Sequence, residues 1–470
     1  MDRRSFLASA ALGAGSLAQA APAERPNLLF VLADQWRSSA FGFGSDAVVR
    51  TPHFDRLAAQ GANWKRAYAS NPVCTPNRAC ILTGRYSHQT GMIRNDLQLP
   101  PGETCWPQVF RSAGYATHYV GKWHMDGTGK PGFVPPGWRR RGFETFEGFN
   151  RGHVYHRPWG FGDSGAPLAV SDETASEPYY EPALQTDLAI DFMRRHGDGP
   201  FACYLSWGPP HTPFRPPRSH DLYEPGEIVP RANVPAAHRK RAMKELAGYY
   251  GLCESLDHQM GRIISFLDET GLAGSTLVIF TSDHGELAGS HGMYRKGQPE
   301  DESLHVPLVM RLPGRIPAGS EPRTLATSVD LMPTLLSLCG LPEQQSCSGR
   351  DLSAAVLGHE APAVESVCCE GKVGNSPDAP ASDNSPHQGP WRTIVTQRYK
   401  LTVRSDFATV RNFFDLQEDP HEMRNLAGHA EFRSERDVHL DELRRWAART
   451  GDPFPSRPVP AKALYPDPEG

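Results

Sequence analysis

Six residues between positions 74 and 85 combine a thiol, a proline and two arginines at short offsets: Cys74, Pro76, Arg78, Thr83, Gly84 and Arg85. A cysteine acts as a nucleophile through its thiolate, and the nearby Arg78 favours a thiolate or a bound anion. A lone cysteine in a polar loop is also commonly an inert thiol, so the stretch alone leaves both uses open. Two distant carboxylates carry a second kind of chemistry. Asp34 and Asp283, with Gln35 and His284 beside them, make an oxygen-rich set suited to a divalent cation. An Asp at a strand end also serves as a helix cap or turn former. Lys122, His124, His211 and Lys296 add groups that neutralise anions and move protons, and each taken singly is equally a solvated lysine or a structural histidine.

These groups stand at the ends of apolar runs. Residues 26–33 lead to Asp34-Gln35, and 116–120 lead to Gly121-Lys122-Trp123-His124. Residues 201–207 lead to Gly208-Pro209-Pro210-His211, and 276–280 lead to Thr281-Ser282-Asp283-His284. Continuous apolar runs of this length read as strands buried on both faces. In open parallel sheets, ligands bind beyond the carboxyl ends of the strands, where loops and helix N-termini converge. Helical patterns over 54–59, 106–113 and 242–270 separate the runs. The class is therefore α/β, with a large, mostly parallel central sheet flanked by helices. A Ser/Pro/Gly/Asp-rich stretch, 371–390, reads as a linker or long loop. Strand-like pieces at 391–403 and 413–416 and a helical pattern at 432–448 follow, then a Pro-rich tail over 451–470.

At 470 residues and 39% hydrophobic content, the chain has the material for one large domain and a smaller one. A net charge of -4 with no long one-sign run gives no basic face for nucleic acid. The nine cysteines are an odd count without dense spacing, Cys368 and Cys369 are adjacent, and no C-x-x-C pair supports zinc. No disulfide is assigned. The N-terminus runs Met1-Asp2-Arg3-Arg4-Ser5-Phe6-Leu7, then an Ala/Gly/Leu run to Leu17 and a small-residue cleavage site at Ala18-Gln19-Ala20. It is similar to a twin-arginine export signal over 1–20, with an ordinary secretory signal as the other reading. The expectation is a periplasmic or secreted protein passed by the twin-arginine translocase. The apolar run is far short of the roughly 20 residues that span a bilayer, so no membrane anchor is expected after cleavage.

From Arg25 to Leu426 the chain resembles the type I sulfatases of the alkaline phosphatase superfamily. In that family C-x-P-x-R followed by T-G-R marks a cysteine that a formylglycine-generating maturation enzyme oxidises, and Cys74, Pro76, Arg78, Thr83, Gly84 and Arg85 fill the motif. The resemblance implies an alkaline-phosphatase-like catalytic domain over 24–370 and a small C-terminal α+β subdomain over 391–450. It implies one divalent metal ion held by Asp34, Gln35, Asp283, His284 and the modified Cys74. Many sulfatases carry Asp where this chain has Gln35 and Asn where it has His284, so one negative charge beside the cation is missing. Hard oxygen ligands point to calcium, the nitrogen of His284 suits manganese, and magnesium stays open.

Lys122, His124, His211 and Lys296 match the family's G-K-W-H, P-H-T-P and downstream Lys motifs. The implied mechanism uses the hydrated aldehyde of Cys74: one hydroxyl attacks sulfur while Lys122 and Lys296 neutralise the sulfuryl oxygens and Arg78 positions the diol. His211, with Lys296, protonates the departing alcohol, and His124 helps deprotonate the second hydroxyl so that sulfate leaves. His291 is expected to hold the loop that delivers Lys296.

The implied substrate is a sulfate ester, and the export signal favours sulfated carbohydrate. The segment 150–161 mixes cations and aromatics; it reads either as a sugar-holding loop, with Trp159 or Tyr155 as stacking platforms and Arg157 as an anion partner, or as a structural loop. Two alternatives remain: a phosphonate monoester or phosphodiester hydrolase of the same superfamily, and a nonhydrolytic protein that binds sulfated glycans.

Overall fold

The structure, a computed structural model, describes residues 25–454 apart from 47, 158, 169–178, 361–363, 372–388 and 405. The expected signal at 1–20, most of the expected linker and most of the Pro-rich tail lie outside the described residues. The first strands are β1 (Asn27–Asp34), β2 (Ala62–Asn63), β3 (Ala67–Tyr68), β4 (Ala116–Lys122), β5 (Thr145–Phe149), β6 (Phe201–Pro210) and β7 (Thr276–Ser282). They are followed by β8 (His305–Val306), β9 (Leu308–Arg311), β10 (Ala326–Thr327), β11 (Ser366–Gly371), β12 (Trp391–Thr396), β13 (Tyr399–Arg404) and β14 (Val410–Asp415).

A seven-stranded sheet has the order β2-β9-β7-β1-β6-β4-β5. Strands β7, β1, β6, β4 and β5 run parallel, β9 lies antiparallel to β7, and the short β2 closes that side antiparallel to β9. All eight residues of β1 are buried, which is why its sequence is a continuous apolar run rather than an alternation. Leu28, Phe30 and Leu32 face a layer containing Trp106, Tyr119 and Tyr204, whereas Leu29, Val31 and Ala33 face one containing Phe54, Leu256 and Phe280. Helices Pro52–Ala59, Glu181–Arg195 and Ala236–Glu269 supply the second layer. The last of these starts six residues before the apolar pattern does, because its first turns are solvent-exposed and carry no periodic signal.

The C-terminal unit is the antiparallel sheet β11-β12-β13-β14 covered by helix Arg433–Thr450. Its edge strand β11 is drawn from before the Ser/Pro-rich stretch, from residues the sequence assigned to the catalytic domain. The unit therefore folds across the expected linker rather than beginning after it. Trp446 of its helix packs edge-on against Tyr86, only two residues beyond Gly84, which joins the unit to the cysteine-bearing segment. No helix among the described residues is long and apolar enough to cross a membrane.

Candidate active site

Four neighbouring parallel strands, β7, β1, β6 and β4, deliver their carboxyl ends to one edge of the sheet. Asp34 ends β1, Lys122 ends β4, Asp283 follows β7, and His211 follows β6. Close strand packing is what aligns them. Gly121 has φ 103°, and a Cβ there would lie 2.1 Å from the Ser206 carbonyl oxygen of β6, so only glycine lets β4 place Lys122 here.

Cys74 opens a ten-residue helix, Cys74–Thr83, in which every residue is buried. The polar loop expected from sequence is thus the amino end of a core helix. Thr83 bonds back to the Ala79 carbonyl at 2.7 Å, and Gly84 at φ 65° ends the helix in the left-handed region. Arg85 pairs with Glu103 at 2.8 Å, so Thr83, Gly84 and Arg85 serve to build and hold the helix end.

Around Cys74 Sγ converge His284 Nε2 at 3.2 Å, Lys296 Nζ at 3.0 Å and Asp34 Oδ1 at 3.7 Å. Ligand atoms of Asp34, Cys74, Asp283 and His284 all lie within 4.8 Å of one another, and all four residues are buried. His284 Nε2 is 3.5 Å from a carboxylate oxygen of both Asp34 and Asp283. This set of two carboxylates, an imidazole and a soft or hydroxylic atom fits one divalent cation. Gln35, expected to be a further ligand, accepts from Lys296 Nζ through Oε1 at 3.1 Å, with its backbone held at φ 69° in the strained left-handed region. Its amide Nε2 donates to Glu286 Oε2 at 2.6 Å, so a buried carboxylate absent from the sequence expectation stands directly behind Gln35.

Three cations occupy the same volume. Arg78 donates to Asp283 Oδ2 at 2.9 Å, Asp34 Oδ2 at 3.1 Å, the Lys122 carbonyl at 2.8 Å and Ser206 Oγ at 2.8 Å. Its guanidinium thus ties the two carboxylates together and reaches Cys74 only through them, where the sequence expectation had it positioning the diol itself. Lys122 Nζ forms an ion pair with Asp34 Oδ2. Burial would raise the Asp34 carboxyl, but Lys122, His211, Lys296 and Arg78 hold it well below its ordinary value. Burial and Asp34 push the Cys74 thiol up, and Lys122, Lys296 and His284 outweigh them, so it sits well below the usual thiol range. Burial and the neighbouring Asp34 push Asp283 up.

The two outer histidines are placed differently. His124, at φ 59°, bonds through Nε2 to Asp96 Oδ1 at 3.2 Å, while Arg151 holds the other oxygen of Asp96 at 2.7 Å. Its Nδ1 is buried with no hydrogen-bond partner among the described residues. The expected proton acceptor therefore comes with an orienting carboxylate, Asp96, that no sequence motif marked. His211 Nδ1 lies 2.8 Å from the Thr212 carbonyl, and its ring stacks on His153 at 3.6 Å between centroids and 3° between planes. Tyr155 is 2% exposed and donates to the His211 carbonyl at 2.7 Å, so it is a buried strut rather than a stacking platform for sugar. His291 bonds to Asn233 through its backbone at 2.8 Å and its ring at 3.0 Å, and so anchors the loop that carries Lys296. All nine cysteines are free thiols, and every one but Cys347 is buried.

A sulfatase family model matches residues 26–341, and one for the N-sulphoglucosamine sulphohydrolase C-terminal region matches 289–446. An ulvan-active sulfatase of Formosa agariphila is 33% identical over 442 residues, covering 92% of this chain and 83% of the relative. The crystal structure of the sulfatase YidJ from Bacteroides fragilis superposes with a TM-score of 0.82 at 27% identity, over 93% of this chain and 99% of that one. A phosphonate monoester hydrolase of Agrobacterium radiobacter gives a TM-score of 0.71 at 25% identity, over 91% and 96%. With the cysteine at the helix start, its ring of carboxylates and cations, and a family match spanning the whole catalytic sheet, this chain belongs to the sulfatase family of the alkaline phosphatase superfamily and is a sulfuric ester hydrolase.

Proposed function

We propose that the protein hydrolyses sulfate esters of carbohydrates, using Cys74 oxidised to formylglycine and one divalent cation held by Asp34, Gln35, Asp283 and His284. The observation that carries this reading is the convergence of Asp34, His284 and Lys296 on Cys74 Sγ, whose place an oxygen on the same carbon takes in the mature residue. The relative active on ulvan supports a carbohydrate substrate. The Arg3-Arg4 segment supports export through the twin-arginine route to the periplasm or medium.

The hydrated aldehyde supplies two hydroxyls on one carbon, one to attack sulfur and one whose deprotonation expels sulfate. A divalent cation held by Asp34, Gln35, Asp283 and His284, calcium by its oxygen donors, would supply Lewis acidity toward the attacking hydroxyl. The remaining work falls to side chains. Lys296 Nζ, at 3.0 Å from Sγ, and Lys122 offset charge on the sulfuryl oxygens. Arg78 donates to both Asp34 and Asp283 and so holds the two carboxylates together. His211 gives a proton to the departing alcohol oxygen, and His124, oriented by Asp96, takes one from the second hydroxyl.

The test is peptide mass spectrometry across Cys74 on protein made with a formylglycine-generating enzyme, with sulfate release measured on sulfated sugars and an aryl sulfate. Phosphonate monoester and phosphodiester turnover is measured on the same sample. Formylglycine with sulfate release supports the reading. Full conversion with faster phosphorus-ester turnover would transfer the function to the phosphonate hydrolase class, and ligand capture with no turnover would make it a binding protein.

A further inference from the structure

Beyond the residues that carry the reaction, we propose that His153 is the positioning residue for the leaving-group acid His211, holding its imidazole plane by stacking and leaving it the sole proton carrier of the pair. The inference rests on the sulfatase reading above and adds a residue that no sulfatase motif in this chain contains.

The two ring centroids lie 3.6 Å apart and the planes are 3° from parallel, which is face-to-face stacking. A directed hydrogen-bond chain fixes the state of the His153 ring. Lys122 Nζ is 3.1 Å from His153 Nε2, and an ammonium has only protons to give, so Nε2 accepts. The ring proton is then on Nδ1, 3.2 Å from the Tyr155 hydroxyl. That hydroxyl passes its own proton to the His211 carbonyl at 2.7 Å. One segment after β5 thus grips His211 twice, at its ring through His153 and at its backbone through Tyr155.

A histidine that accepts from a lysine is neutral, and burial with the adjacent His211 and Lys122 holds His153 well below its ordinary range. His211 Nδ1 faces the Thr212 carbonyl at 2.8 Å, which leaves Nε2 as the atom that binds and delivers the catalytic proton. Burial, Lys296 and Lys122 hold His211 itself well below its ordinary value, so its acidic proton is readily given up, and stacking against a flat neutral ring keeps Nε2 aimed without adding another positive charge beside it. General acid catalysis matters in proportion to how poor the leaving group is, which gives the proposal a signature that loss of fold or of substrate binding does not share.

The experiment measures kcat/KM of the formylglycine-bearing, calcium-loaded protein on 4-nitrophenyl sulfate and on phenyl sulfate, whose phenolate is the poorer leaving group. For His153→Ala the expected loss is at least about 10-fold larger on phenyl sulfate than on 4-nitrophenyl sulfate. His153→Phe keeps a flat ring against His211, and the expected result is a return to the unaltered ratio. Equal loss on both esters, no loss on phenyl sulfate, or a His153→Phe ratio matching His153→Ala each overturns the positioning role. Release of sulfate from neither aryl ester nor any sulfated sugar by the unaltered protein overturns the sulfatase reading itself, and the proposal with it.

Discussion

Lys296 Nζ lies 3.0 Å from Cys74 Sγ although 222 residues separate them, and the same ammonium reaches Gln35 Oε1 at 3.1 Å. Burial alone would lower this lysine, but Cys74, Asp34 and Asp283 hold it above its ordinary value, so it stays charged. A permanent charge this close to the nucleophile acts on whatever negative oxygen develops there. Lys296→Met is therefore expected to cut kcat by about 100-fold or more on an aryl sulfate while KM changes much less. Cys74→Ala should abolish turnover, and Cys74→Ser should permit at most slow sulfation without release. Undiminished steady-state turnover by Cys74→Ser would falsify the role given to the aldehyde.

Arg78 makes its case through stability. Its guanidinium is 1% exposed and is shared between two fully buried carboxylates. Removing one partner of a buried pair leaves uncompensated charge, a loss of about 3–5 kcal/mol. Arg78→Ala is expected to lose about that much in denaturant unfolding of the metal-free protein, and added calcium should restore part of it by giving Asp34 and Asp283 another counter-ion. Arg78→Lys should recover little, because a point charge cannot span both carboxylates as the fork does. An unfolding curve for Arg78→Ala superimposable on the parent's would sink this account.

The sheet and the inner site were legible because their physics is local. Strands buried on both faces leave continuous apolar runs, so β1, β4, β6 and β7 could be read directly, and the groups at their ends followed. The contacts that tune the site were not legible, because they are made by residues with no pattern of their own. Glu286 stands behind Gln35, Asp96 orients His124, and Ser206 shares Arg78; each is a common polar residue whose partner is set only by the fold. Tyr155 shows the reverse failure: an aromatic in a cation-rich loop reads as a sugar platform until the packing buries it. Strand β11 escaped for a third reason. Strand pairing across a long insertion leaves no mark in the sequence between the partners.

Gln35 bears on the metal. Its amide donates to Glu286 at 2.6 Å, so the near-isosteric Gln35→Glu would place two carboxylates within hydrogen-bonding reach. In the metal-free protein these repel, and a divalent cation relieves them. The expected result is a lower melting temperature without metal and a larger rise on adding calcium than the parent shows, since stabilisation follows the ratio of free cation to its dissociation constant. Chelation should reduce sulfate release by the parent, and readdition of calcium, manganese or magnesium in turn ranks the ions. A cation-induced rise equal to or smaller than the parent's would show that Gln35 lies outside the cation's reach.

The C-terminal unit should loosen as the solution becomes alkaline. His88 Nδ1 pairs with Glu370 of β11 at 2.9 Å, with Arg392 and Asp452 in the same buried cluster. Burial lowers His88, but Glu370 and then Asp452 outweigh it against Arg392, so its folded value lies above the ordinary 6.5. Burial likewise opposes ionisation of Glu370, but His88 and Arg392 bring its folded value below 4.5. A raised histidine contributes stability that is complete below 6.5 and lost as pH climbs through its folded value. A lowered carboxyl contributes stability that is complete above 4.5 and lost as pH falls through its folded value. The pair is therefore strongest between those two limits. Hydrogen exchange in β11 to β14 should quicken from pH 6.5 to pH 9 beyond the intrinsic chemical rate, and His88→Gln should remove that extra slope. A variant that keeps the parent's slope would show that another group governs the docking of this sheet.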